Sequence, residues 1–206
     1  MEGKRVARTT EASPILKALN KLATHKPTTK SAINELKFLY TNADCFSNKK
    51  SDLEVLLQTL CQKPDIIVIT EVNPKRLVVG LQENEFSMGG YNMFTLNIGI
   101  GSCHGIIIYV KVNLLASQIE IITYYSECLF IKIKLVSYDS LTVGAFYRSP
   151  TGNATNNKEL IKLMRKLNTD ITGRFILLGD LNLSSINWYN YTSSVEPNSV
   201  QQIRLL

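Results

Sequence analysis

The sequence predicts an α/β fold in which two packed sheets, mixed or antiparallel, are flanked by helices. Three observations predict it. An early strand–helix–strand run has the length of a crossover unit, the middle reads as a meander of strands, and a second amphipathic helix leads into a late strand.

The elements follow in order. Residues 1–34 are expected to be a basic, disordered leader, with a short helix over Pro14–Leu22 that His25-Lys26-Pro27 breaks. The folded part, residues 35–206, opens on Leu36–Tyr40, whose alternation suits a strand. A helix near Lys49–Gln62 places Leu53, Leu56, Leu57 and Leu60 on one face, with Ser47 or Asn48 as its cap. Pro64 stops it, and the β-branched run of Asp65–Thr70 is the second strand. Tyr91–Asn97, Gly105–Lys111, Gln118–Thr123, Leu129–Val136 and Leu141–Tyr147 read as strands. In Leu129–Val136, Ile131, Ile133 and Leu135 face one way and Lys132 and Lys134 the other, as in a sheet with one wet face. The second helix, near Asn157–Ile171, turns Leu160, Met164, Leu167 and Ile171 inward, and Arg174–Leu178 is the late strand. Gly99-Ile100-Gly101 is a hairpin turn, because it precedes a strand instead of opening a helix.

Composition narrows the class. A chain of 206 residues, 45% hydrophobic and 19% charged, fits one globular domain with a tail. No apolar stretch reaches the ~20 residues that span a bilayer, so no membrane partner is expected. The first residues lack the apolar core of a secretory signal, and the chain is expected to be intracellular and nuclear. Cys45, Cys61, Cys103 and Cys128 form no Cys-x-x-Cys pair and read as reduced, mostly buried thiols. His104 reads as a turn histidine, with a ligand or a base as the alternative. Residues 1–30 hold seven basic and two acidic residues, a net +5 that leaves only +1 of the chain's +6 for the rest. Such a leader would hold a phosphate backbone without sequence preference, or simply be solvated.

Two short peptides carry the chemistry. Ile67-Val68-Ile69-Thr70-Glu71 and Leu177-Leu178-Gly179-Asp180-Leu181-Asn182 each deliver a carboxylate at the end of an apolar run. Polar groups that do chemistry collect at the carboxyl ends of strands in layered α/β folds. Two acids distant in sequence can meet there and hold a divalent cation. The alternative is a pair of ordinary loop acids. Asn42 and Tyr147, at matching strand ends, favour the site.

Tyr40-Thr41-Asn42-Ala43-Asp44, Ile69-Thr70-Glu71, Phe146-Tyr147-Arg148-Ser149-Pro150 and Gly179-Asp180-Leu181-Asn182 occur in an order that resembles the endonuclease/exonuclease/phosphatase superfamily. Leu36–Arg76, Val143–Pro150 and Leu177–Trp188 are most similar to the apurinic-type endonuclease domain of LINE-like (non-LTR) retrotransposons. The resemblance implies a four-layer α/β sandwich and Mg²⁺- or Mn²⁺-dependent cleavage of DNA, with no organic cofactor. It implies that Glu71 ligates the metal and that Asn42 supports it. It further implies that Asp180 orients or deprotonates the attacking water, and that Asn182 and Tyr147 donate to the phosphate. Arg148, beside Tyr147, is a candidate phosphate contact. Structural alternatives stand beside these roles: Asn42 as a turn cap, Tyr147 as core, Asn182 in an Asx-turn.

The resemblance also implies a closing Ser-Asp-His segment, which does not occur between Trp188 and Leu206. The expectation is a truncated copy lacking the last strands, with impaired activity and an exposed sheet edge. A reverse transcriptase domain would follow in a full-length homologue. Two competing readings are a phosphatase or phosphodiesterase of the same superfamily acting on small phosphoesters, and a non-catalytic nucleic-acid-binding remnant that works through its basic leader.

Overall fold

The first sheet is organised around a parallel pair. β1 (Phe38–Asn42) lies beside β2 (Ile66–Thr70), with Phe38 opposite Ile66 and Asn42 opposite Thr70. α1 (Lys50–Thr59) makes the crossover, so both strands end at the same edge. The structure, a computed structural model, describes residues 35–74, 81–100, 103–135, 139–171, 173–183, 186–187 and 192–193. The expected leader, its helix over Pro14–Leu22 and the side chain of Trp188 lie outside the described residues.

α1 is shorter than its leucine pattern suggests, because Leu60 is already extended. Leu53 and Leu57 are buried, while Leu56 and Leu60 pack at the margin. Neither Ser47 nor Asn48 caps it. Both belong to a 3₁₀ turn, Phe46–Asn48, that is anchored by the buried Phe46, and Lys49 takes the cap position without a side-chain bond.

β3 (Tyr91–Leu96) and β4 (Ile106–Lys111) form the expected hairpin and complete the sheet in the order β1-β2-β4-β3. Ile106 through Val110 are all buried, as a strand covered on both faces requires.

The second sheet has the order β5-β6-β7-β8, from β5 (Ala116–Ile119), β6 (Cys128–Lys134), β7 (Ser140–Tyr147) and β8 (Arg174–Asp180). β5 starts earlier than Gln118–Thr123, since Ala116 pairs with Ile133 and the ladder stops at Ile119 opposite Phe130. β7 and β8 are parallel and joined by α2 (Ala154–Asp170), with Leu141 opposite Arg174 and Tyr147 opposite Asp180. Asn153 caps α2: its Oδ1 accepts the Asn156 N–H at 2.9 Å. Leu163, and not Met164, joins Leu160 and Leu167 in the buried stripe. β9 (Ile186–Asn187) and β10 (Thr192–Ser193) form a separate two-residue antiparallel pair.

Three apolar clusters define the layers. α1 packs on the outer face of the first sheet through Leu53, Leu57, Ile67, Ile69 and Tyr109. The sheets meet through Val68, Ile106, Ile108, Ile131, Val143 and Tyr147. α2 covers the second sheet through Phe130, Phe146, Leu160, Leu163 and Leu167. The order helix, sheet, sheet, helix is the four-layer sandwich. Burying each such side chain stabilises the fold by roughly 1.5–3 kcal/mol. Among the described residues, no helix is long and apolar enough to cross a membrane. The four cysteines form no disulfide, but Cys61 is exposed and the other three are partly accessible instead of buried.

Candidate active site

Four strand ends meet at one edge of the sandwich. β1 and β2 are parallel and end at Asn42 and Thr70, while β7 and β8 are parallel and end at Tyr147 and Asp180. The facing of the two sheets brings these pairs together. Asn42 Nδ2 donates to Glu71 Oε1 at 2.6 Å and to Asp180 Oδ2 at 3.3 Å. The two acids therefore converge on one partly buried point.

The local backbone is built for this. The ladder of β1 and β2 runs on past its last paired residues: Ala43 N–H donates to Thr70 O at 2.9 Å, Cys45 N–H to Glu71 O at 2.9 Å and Phe46 N–H to Val72 O at 3.0 Å. Glu71 and Asn182 both adopt left-handed φ, at 54° and 46°. A glutamate there costs about 1–2 kcal/mol, a strain that concentrates at functional sites. The Asx-turn belongs to Asp180, whose Oδ1 accepts the Asn182 N–H at 2.9 Å. Asn42 does support the following turn, through Oδ1 and the Asp44 N–H at 3.2 Å, while its Nδ2 serves the acids.

Tyr147 is buried, and its phenol lies within hydrogen-bonding reach of Glu71. Burial pushes that phenol well above the ordinary range, and the Glu71 bond and the charges of Glu71, Asp180 and Glu127 push it further. It is a neutral donor at any physiological pH. Tyr40, not singled out in the sequence, also faces the acids. Its hydroxyl lies 3.1 Å from Thr70 Oγ1, and burial pushes its pKa up to about 12, with the charges of Asp180 and Glu71 adding to the shift.

For Arg148 the structure departs from the expected phosphate contact. The side chain is buried at 3% exposure. Its Nε donates to Asn157 Oδ1 at 2.7 Å, and its Nη1 to the carbonyls of Asn182 at 3.0 Å, Leu181 at 3.3 Å and Ser149 at 3.3 Å. In return Asn182 Nδ2 donates to Arg148 O at 2.8 Å, and Arg148 N–H donates to Asp180 O at 2.8 Å. Arg148 is thus a strut that ties α2 to the Asp180–Asn182 turn.

Glu71 and Asp180 share a single amide donor, and among the described residues no lysine or arginine forms an ion pair with either. Two carboxylates this close call for a cation. The carboxylates offer oxygen donors only, which fits Mg²⁺ or Mn²⁺, while Asn42 turns its Nδ2 to them and its Oδ1 to the Asp44 N–H. Among the described residues, no cluster of three or more His, Cys, Asp or Glu side chains is placed to hold a metal. A Mg²⁺ site built on one or two carboxylates needs none.

His104, expected as a turn histidine with a ligand or a base as the alternative, lies beside Tyr147, together with Glu127, which the sequence did not single out. The His104 ring packs on Tyr147, with centroids 4.3 Å apart, and its Nδ1 lies 3.4 Å from Glu127 Oε1.

Comparison with family models and with curated proteins finds no match. Solved structures do match. The AP endonuclease LMAP from Leishmania major superposes with a TM-score of 0.53 over 85% of this chain and 68% of its own, at 15% identity. The endonuclease domain of TRAS1, a telomere-specific non-LTR retrotransposon, gives 0.49 over 73% of this chain and 61% of its own, at 18% identity. An endonuclease/exonuclease/phosphatase family protein from Bacteroides thetaiotaomicron gives 0.48 over 71% and 63%, at 13% identity. The chain therefore spans 61–68% of the length of these structures. Its fold is that of the endonuclease/exonuclease/phosphatase proteins.

Proposed function

We propose that this chain is a divalent-metal-dependent phosphodiester hydrolase acting on DNA, the endonuclease of a non-LTR retrotransposon. The observation that carries the reading is the Asn42 amide set between Glu71 and Asp180 where four strands end. The fold supports hydrolysis of phosphoesters as the class. The Tyr147-Arg148-Ser149-Pro150 and Gly179-Asp180-Leu181-Asn182 motifs support the retrotransposon branch.

Glu71 would hold Mg²⁺ or Mn²⁺, joined by Asn42 once its amide turns Oδ1 from the Asp44 N–H to the ion; when bound, the ion supplies positive charge to a phosphate that otherwise repels its nucleophile. Asp180 orients a water and accepts its proton as oxygen attacks phosphorus and the bond to the leaving oxygen breaks. Asn182 has one amide N–H engaged with Arg148 O and directs the other at the phosphoryl oxygens. Tyr147 exchanges its Glu71 partner for a phosphate oxygen as substrate enters. Each donor acts where charge develops, and removal of one typically costs on the order of 10²–10³ in rate.

Nicking of supercoiled plasmid with Mg²⁺ tests the reading. Nicking by the wild type that Glu71→Gln and Asp180→Asn abolish supports it, and nicking that survives both substitutions refutes it. Turnover of small phosphoesters with intact duplex would instead favour the phosphatase reading.

A further inference from the structure

We propose that His104, held by Glu127, is a substrate-phosphate contact on the flank of the site formed by Tyr147. The proposal rests on the phosphodiester reading above and adds a residue to it. Glu127 is fixed at both ends of its contacts. Its carbonyl accepts the Tyr147 N–H at 3.0 Å, and its Oε1 accepts the His104 backbone N–H at 3.1 Å. The same oxygen faces His104 Nδ1 at 3.4 Å, and the imidazole packs on the Tyr147 ring, tilted by 44°. The phenol of that ring points at Glu71. A line of contacts thus runs from Glu127 through His104 and Tyr147 to the metal-binding carboxylate.

The turn that presents His104 is stitched down, which argues against a passive loop histidine. Asn73, two residues beyond Glu71, donates from Nδ2 to the carbonyls of Asn97 at 2.7 Å and Cys103 at 2.9 Å, and accepts the Gly99 N–H at 3.0 Å. Asn73 N–H also donates to His104 O at 2.8 Å. Gly105 must be glycine: its φ is +73°, and an added Cβ would press on the Asn73 side chain at 3.1 Å.

The side chains differ in exposure in the way an oriented contact requires. His104 is 38% exposed and Glu127 12%, so the imidazole fronts solvent with the carboxylate behind it. Glu127 Oε2 is buried without a hydrogen-bond partner among the described residues, a cost of roughly 1–3 kcal/mol. With Nδ1 turned to Glu127, Nε2 is the nitrogen left to meet a phosphate oxygen, since the partner of one ring nitrogen selects which of the two faces out. The charge of Glu127 is felt in the site, where it helps to raise the Tyr147 phenol.

The test is long-range proton–nitrogen NMR of the full chain in EDTA, joined to binding. Only His25 and His104 contribute signals, and His104→Gln assigns them. The expected result is that short duplex DNA moves the His104 Nε2 resonance, that Glu127→Gln changes the tautomer, and that His104→Ala weakens duplex binding about tenfold. Duplex that binds while Nε2 stays unmoved, with His104→Ala binding unchanged, overturns the proposal. If duplex does not bind but inorganic phosphate moves Nε2, the phosphate contact stands and the DNA reading falls. If neither moves it, the contact falls.

Discussion

Glu71 and Asp180 share one hydrogen-bond donor, the amide of Asn42, although each lies at the end of a strand in a different sheet. The first prediction follows from that arrangement. Removing either charge, by Glu71→Gln or Asp180→Asn, relieves like-charge repulsion, so the metal-free melting temperature stays level or rises. Mg²⁺ raises the wild-type melting temperature and leaves Glu71→Gln unmoved. Thermal melts with Mg²⁺ and with EDTA check both points.

Among the described residues Arg148 hydrogen-bonds to neutral oxygens only, deep behind the Asp180–Asn182 turn. Arg148→Met strands those carbonyls and is expected to cost about 1–3 kcal/mol in urea denaturation. The salt dependence of DNA binding should keep its slope. A slope reduced by about one unit with stability intact would make Arg148 the phosphate contact after all.

Gly179 stands opposite Phe146 in the β7–β8 pair, where an added Cβ would overlap the Phe146 carbonyl oxygen. Backbone cannot swing away as a side chain can. Gly179→Ala is therefore expected to destabilise by about 1–3 kcal/mol or more and to displace Asp180, lowering activity without altering any carboxylate. Melting and nicking of this variant, run together, check it.

Tyr40 supplies a pH dependence. Its folded-state pKa, about 12, lies above the ordinary 10, so the unfolded chain loses the phenolic proton first as pH rises. The stabilisation is whole below about pH 10 and is lost as pH climbs through about 12. Urea denaturation across that window should show falling stability, and Tyr40→Phe should lessen the slope, with Cys128 and the buried Tyr109, Tyr125 and Tyr147 supplying the rest.

Much of this was legible in the residues. β2 and β4 announce themselves as apolar, β-branched runs, and parallel pairing around a crossover helix brings the ends of β1 and β2, and those of β7 and β8, to a common edge. The shift of β5 to Ala116–Ile119 was not, because its register is set by pairing with β6 and its own pattern is weak. Arg148 misleads for a similar reason: its burial depends on where α2 lays Asn157, which no local pattern records. His104, ahead of β4, meets Tyr147, at the end of β7, where Asn73 holds the carbonyls of Asn97 and Cys103. Such contacts between separate elements leave no periodic trace.

The most direct measurement is a Mn²⁺ titration of the full chain followed by electron paramagnetic resonance, with Glu71→Gln and Asp180→Asn alongside. Convergence of the two acids predicts a single bound ion that Mg²⁺ displaces, held at least about tenfold more weakly in either variant. A wild-type chain that binds no ion, or variants that bind it equally well, would contradict the site.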